Sequence, residues 1–109
     1  MISDAEIEKA LDYLRDSVDI AAQARANRIY LTEYRKTKKA ELMNQSNEQS
    51  EVAKERFAYS HPEYAEFLDG LRAAIYEDAK HDFLRGAANA KIEAWRTQQA
   101  NARTMEKII

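Results

Sequence analysis

The stretch SHPEYAEFLDGLRAAIYEDAKHDF, residues 60–83, decides the fold of this chain. It opens with Ser60 and Glu63 at the spacing of a capping box, and Pro62 stands in the first turn, where its missing N–H costs nothing. Apolar residues then recur at helical spacing to about residue 104. A second capping box, SDAE at residues 3–6, opens another long helix. Each helix reaches roughly forty residues, or about 60 Å, and needs a packing partner along its length.

The composition agrees with an all-α protein. The 109 residues include only two glycines and one proline, so the turns that a β-sheet needs are missing. Without cysteine the chain forms no disulfide and no thiolate metal site. A weaker capping motif at residues 46–49 predicts a short connecting helix. We therefore predict one helical domain, residues 1–109, with helices at about 4–44, 47–58 and 61–104.

Charged residues alternate in blocks along both long helices. Residues 4–19 carry six acids and two bases, whereas residues 25–39 carry six bases and one acid. The second helix repeats this order, with an acidic block at 63–82 and a basic block at 85–107. Folding back so that residue i lies near 107 − i matches every block with its opposite, whereas a parallel pairing sets like against like. The pattern predicts a long antiparallel helical hairpin.

The apolar stripes indicate which faces meet in this hairpin. In the first helix the stripe includes Ile7, Leu11, Leu14 and Val18. The same register places Gly86 beside alanines at 21–22, so we expect the two backbones to approach closely there. The chain carries more large apolar residues than one seam can hide, which predicts a homodimer forming a helical bundle. The alternative is a monomeric three-helix bundle in which the connecting helix covers the open side.

No residue cluster specifies a reaction, and we predict a protein that is not an enzyme and holds no cofactor. Glu77, Asp78, His81 and Asp82 stand at metal-ligand spacing on one helix, but a second matching helix is missing. Solvated acids facing the basic block are the simpler interpretation. His61 beside the proline is interpreted as a cap or turn residue. The sequence has no nucleophile constellation and no glycine-rich phosphate loop.

The basic stretch 25–39, with tyrosines interleaved, is the candidate binding surface. Clustered cations bind phosphates and tyrosines stack on bases, but the facing acids and a pI near 5.7 argue against a nucleic-acid footprint. The segment 95–103 is a second candidate docking surface, unless its tryptophan packs in the hairpin seam. The candidate residues for binding a protein partner or nucleic acid are Arg28, Tyr30, Tyr34, Arg35, Lys36, Lys38, Lys39, Trp95, Arg96 and Arg103.

Four motifs carry a resemblance to a known group of proteins. These are DYLRDS at 12–17, TEYRKTKKA at 32–40, AYSHPEY at 58–64 and AKIEAWRTQQANAR at 90–103. In this order they resemble small all-helical proteins of tailed bacteriophages and prophages, whose genes often lie near recombination genes. The resemblance assigns no catalytic or binding residue. It implies a phage origin and a role in DNA metabolism or in countering host defence.

Two functional hypotheses follow. The first is a non-enzymatic phage accessory protein that acts by protein–protein interaction on a phage or host partner, in DNA recombination or replication or against host defence. The alternative is a DNA-binding accessory protein that uses the basic stretch 25–39. The chain begins without a basic and apolar leader pattern, and it has no run of eighteen apolar residues. We therefore expect a cytoplasmic protein without a membrane partner.

Overall fold

A computed structural model describes residues 1–108 and confirms the all-α helical hairpin. Its helices are α1 (Asp4–Asp16), α2 (Val18–Gln45), α3 (Glu51–Ser60) and α4 (Pro62–Ile108). The chain forms two compact units. The terminal unit comprises Met1–Ala22 with the chain from Lys80 onward, and the loop unit comprises Gln23–Ala79.

The first capping box forms as predicted. The Ser3 hydroxyl accepts from the Glu6 N–H at 3.1 Å, and the Glu6 carboxylate accepts from the Ser3 N–H at 2.9 Å. The helix that it opens is not continuous to residue 44, because Ser17 interrupts it. There the guanidinium of Arg85 on α4 donates to the Ser17 hydroxyl and, at 2.9 Å, to the Leu14 carbonyl oxygen. The interruption is therefore stabilised by a side chain from the facing helix.

The caps of the two later helices lie a few residues from their predicted places. Ser50, rather than Ser46, caps α3, and its hydroxyl accepts from the Ala53 N–H. The predicted capping box at Ser60 is wrong: Ser60 ends α3, and its hydroxyl donates to main-chain carbonyls behind it. His61 takes over, since its Nδ1 accepts from the Glu63 N–H at 3.1 Å. The connecting helix was predicted at 47–58, and α3 begins four residues later and ends two residues later than that.

The terminal unit is an antiparallel pair of helical segments with a thin seam. The Ile2 N–H donates to the Gln98 side chain at 3.1 Å, and Arg85 reaches Ser17. Arg85 therefore lies about five residues from the partner that the expected register gives it. The prediction that two backbones approach closely at Gly86 is wrong, because a Cβ added there meets nothing within 4 Å.

The predicted apolar stripe is only partly the buried one. Ile7 is buried as expected, and it is joined by Ala10 and Ser17, whereas Leu11 and Val18 are 53% and 54% exposed. Burial follows a strict three-and-four spacing, as in a coiled coil. This spacing places Ala10 and Ser17 in the seam beside Ile7 and leaves Leu11 and Val18 outside it.

The loop unit has a small core where three helices meet. Leu42 of α2 and Ala58 of α3 are completely buried, and Tyr64 of α4 packs with them. Further along this antiparallel unit, Arg25 and Arg28 of α2 both bind the buried carboxylate of Asp78 on α4. These pairs join the basic block of the first helix to the acidic block of the second, as the charge pattern predicted.

Candidate interaction surface

A basic pocket lies between the three helices of the loop unit. Arg35, Lys36 and Lys39 of α2 line it, together with Tyr59 of α3 and Tyr64 of α4, and its volume is about 270 Å³. The three cations lie on one side of α2 because positions three and four apart share a helix face. The pocket is therefore built by the helix period and closed by the chain reversal after α2.

Lys39 is the most constrained cation of the basic pocket. Its ammonium lies 3.3 Å from a carboxylate oxygen of Glu55 and 5.0 Å from the ring centre of Tyr59. The hydrogen bond to Tyr59, followed by that to Glu55, raises the pKa of Lys39 above its usual value. Lys39 is thus positively charged at neutral pH, but Glu55 offsets much of its field.

Arg35 and Lys36 carry the less compensated charge of the basic pocket. The Lys36 ammonium lies 4.0 Å from Glu33, and both side chains are largely exposed, so this pair contributes little. Within residues 1–108, Arg35 makes no ion pair or hydrogen bond through its side chain. Arg35 is therefore the cation most available to an anionic partner.

The other predicted cations of α2 are used inside the unit. Lys38 lies 3.5 Å from Glu63, and Arg28 is bound to Asp78. Hydrogen bonding from Arg28, helped by Arg25, holds the pKa of the Asp78 carboxyl below its usual value although burial opposes this. The basic stretch is thus in large part the neutralising partner of α3 and α4.

Tyr30 and Tyr34 form an aromatic surface that is separate from the basic pocket. Their ring centres lie 5.9 Å apart in a stacked arrangement, and Tyr34 in turn lies 5.9 Å from Phe67 of α4. The Tyr34 hydroxyl donates to Glu41 at 3.0 Å, which raises the Tyr34 pKa. We call Tyr30, Tyr34 and Phe67 the aromatic ladder; its outer ring, Tyr30, is 62% exposed.

The predicted single face around these residues is therefore two surfaces. Tyr34 and Lys38 contact α4, whereas Lys39 contacts α3 and shares the basic pocket with Arg35. Neighbouring positions on a helix point about 100° apart, so consecutive residues of TEYRKTKKA are divided between the two. Tyr59 and Tyr64 were not among the predicted binding residues, although both lie in the AYSHPEY motif beside the chain reversal.

The predicted docking segment 95–103 belongs to the terminal unit. Trp95 is half-buried, with its indole nitrogen enclosed and without a hydrogen-bond partner within residues 1–108. Arg96 lies 2.9 Å from Glu93 on the same helix, and Arg103 is exposed. This partial burial favours packing of Trp95 in the seam over a docking role, and the docking role stays a prediction.

Large apolar side chains stand outside both seams. Four such residues in each unit lie on α1, α2 and α4, and six of these eight are more than half exposed. They are Leu11, Val18, Ile20 and Phe83 in the terminal unit, and Ile29, Tyr30, Ile75 and Tyr76 in the loop unit.

The acidic cluster that resembled half a metal site takes another role. Asp78 is bound by two arginines, and within residues 1–108 no three histidine or carboxylate side chains converge as metal ligands. In the same range, no helix combines the length and apolar character needed to cross a membrane. Comparison with known proteins finds no matching family model, curated protein or solved structure.

Proposed function

We propose that this chain is a non-enzymatic accessory protein of a phage or prophage that acts by binding another protein. The partner belongs to recombination or replication machinery, or to a host defence system, in the bacterial cytoplasm. The phage assignment comes from the resemblance of the four motifs. The binding assignment comes from the surface of the folded chain.

The aromatic ladder is the observation that carries this proposal. Tyr30 projects to solvent but is held by stacking on Tyr34, which is packed on Phe67. A rigid exposed tyrosine loses little conformational entropy on binding, and tyrosine is enriched among the residues that dominate interface energies. A protein partner is favoured over nucleic acid, because much of the positive charge of α2 is already neutralised within the loop unit.

The test is capture of partner proteins from phage-infected cells by the immobilised chain and by two tyrosine variants. Tyr30→Ala removes the outer ring of the ladder, whereas Tyr76→Ala removes a tyrosine of similar exposure on α4 of the same unit. We expect Tyr30→Ala to reduce recovery of a specific partner about tenfold or more, a loss of about 1.4 kcal/mol, and Tyr76→Ala to retain it. Equal recovery by the parent and Tyr30→Ala contradicts the proposal.

The second candidate function is DNA binding, and the basic pocket is the observation that favours it. Three cations and the Tyr59 ring offer a phosphate contact beside a stacking surface. Fluorescence anisotropy with single- and double-stranded oligonucleotides at two salt concentrations tests it. DNA binding requires an affinity that falls with salt and is lost in Arg35→Ala/Lys36→Ala but kept in Arg72→Ala, an exposed cation on α4. Salt-independent or absent binding by the parent excludes it.

A further inference from the structure

The walls of the basic pocket combine positive charge with a rigid aromatic surface. Arg35, Lys36 and Lys39 supply the charge. Tyr59, which is 51% exposed, meets the buried Tyr64 edge-on with ring centres 5.3 Å apart, and the Lys39 ammonium lies 5.0 Å from the Tyr59 ring centre. Two contacts therefore hold Tyr59 while part of its surface faces solvent. A ligand of the pocket can make an ion pair and an apolar contact at the same time.

The positive charge that remains for a ligand is small and local. The Lys39 ammonium is paired with Glu55 at 3.3 Å, whereas the Lys36 ammonium lies 4.0 Å from Glu33 in a largely exposed pair. The Arg35 side chain forms no ion pair in the part of the chain that the structure describes. A guanidinium binds a carboxylate through two parallel hydrogen bonds. Arg35 and Lys36 therefore suit one anionic group better than a row of them.

Acidic side chains beside the basic pocket disfavour a continuous polyanion. Glu33 adjoins Lys36 and Glu55 adjoins Lys39, so one carboxylate flanks the pocket on α2 and another flanks it on α3. Nucleic acids carry a phosphate at every nucleotide and are bound by clustered cations along the backbone. Phosphates on either side of the pocket would approach these carboxylates, and like charges at an interface repel. A peptide can instead place one carboxylate in the pocket and neutral groups beside the acids.

We propose that the basic pocket binds a short acidic segment of the protein partner. One aspartate or glutamate carboxylate of that segment binds Arg35 and Lys36, and an apolar side chain of the same segment packs on the Tyr59 ring. This inference rests on the proposed function as a protein-binding chain and gives the chemistry of the partner. It assigns the basic pocket to the protein partner rather than to DNA.

Titration with a synthetic peptide, followed by NMR of the isotopically labelled chain, tests this assignment. The probe is an eight-residue peptide with two aspartates followed by two leucines between glycine and serine ends. We expect it to shift the amide signals of residues 35–39 and the ring signals of Tyr59 at about 1 mM or below. A control peptide with asparagine in place of aspartate keeps the shape without the charge and should bind about tenfold more weakly. Equal affinity for both peptides, or no shift with the aspartate peptide, overturns the proposal.

Two arginine variants locate the binding of the aspartate peptide. Arg35→Gln removes an exposed guanidinium, so the helices should be kept, and we expect the affinity to fall about tenfold. Arg72→Gln is the matched control, because Arg72 is also exposed but lies about two turns beyond Tyr64 on α4. It should keep the parental affinity. Equal losses in the two variants would mean attraction by the overall charge and would contradict a site at the basic pocket.

Competition with DNA separates the two possible occupants of the basic pocket. An equimolar oligothymidylate of eight nucleotides should leave the aspartate peptide bound, whereas displacement assigns the pocket to DNA and overturns the proposal. Partner capture with Tyr30→Ala is a separate measurement. Capture that depends on Tyr30 without binding of the aspartate peptide contradicts only this inference. Peptide binding with capture that ignores Tyr30 contradicts only the role of the aromatic ladder.

Discussion

The loop unit and the terminal unit bury their residues in different ways. In the loop unit a third helix joins the long pair, and Leu42 and Ala58 lose all contact with solvent. In the terminal unit two helical segments meet alone, their seam includes the polar contact of Ser17 with Arg85, and Phe83 stands in solvent. Two helices alone cannot enclose large side chains on all sides, whereas the third helix of the loop unit covers Leu42 and Ala58.

Truncation of a leucine should give the largest difference in the free energy of unfolding between a site in the loop unit and a site in the terminal unit. Leu42→Ala removes a fully buried side chain, and we expect it to lower the free energy of unfolding by about 2–5 kcal/mol. The matched change Leu11→Ala, at a half-exposed site of the terminal unit, should cost less than about 1 kcal/mol. Urea unfolding followed by circular dichroism measures both. Equal losses would contradict the difference in burial between Leu42 and Leu11.

The next largest effect is expected at the polar contact of the terminal unit. Arg85→Met keeps much of the side-chain volume but leaves the Leu14 carbonyl and the buried Ser17 hydroxyl without their donor. We expect a loss of about 1.5–3 kcal/mol and faster amide exchange around residue 17. Arg96→Met removes only an exposed pair with Glu93 and should change stability by less than about 0.5 kcal/mol. Similar exchange rates in both variants argue against a stabilising role for Arg85.

A smaller, pH-dependent effect should arise in the loop unit from Asp78. Its folded pKa is lowered mainly by the hydrogen bond from Arg28, so the carboxylate stabilises the fold above its unfolded pKa of about 3.9. This stabilisation is lost as the pH falls through the lower folded pKa. Thermal unfolding between pH 7 and pH 2 should show the loss in the parent but less of it in Asp78→Asn. Asp69→Asn, an exposed acid on α4, should keep the parental profile.

Features with a local cause were predictable from the sequence, and features set by distant residues were not. The capping box at Ser3 needs only residues 3–6, and it forms as expected. The burial of Ala10 and Ser17 in place of Leu11 and Val18 depends on which face of α1 meets α4, and a repeat along one helix does not fix that choice.

The candidate surface shows the same division between local and distant causes. The spacing of Arg35, Lys36 and Lys39 places them on one side of α2, as the helix period requires. Tyr59 joins them only because the chain reverses and α3 returns to α2, and Tyr34 is turned toward Phe67 of α4. Both contacts are tertiary. The sequence therefore indicated the cations of the basic pocket, but neither its tyrosine Tyr59 nor the packing of Tyr34 on Phe67.

The two glycines of α4 offer the smallest and sharpest comparison between the units. Gly70 lies in the loop unit and Gly86 in the terminal unit, and a Cβ added at either meets nothing within 4 Å. Alanine favours a helix interior over glycine by about 0.5–1 kcal/mol, so Gly70→Ala and Gly86→Ala should each raise the free energy of unfolding by that amount. Urea unfolding at low protein concentration measures the two gains. A gain at Gly70 with a loss at Gly86 would mean that another backbone approaches Gly86 in solution, against the open site described here.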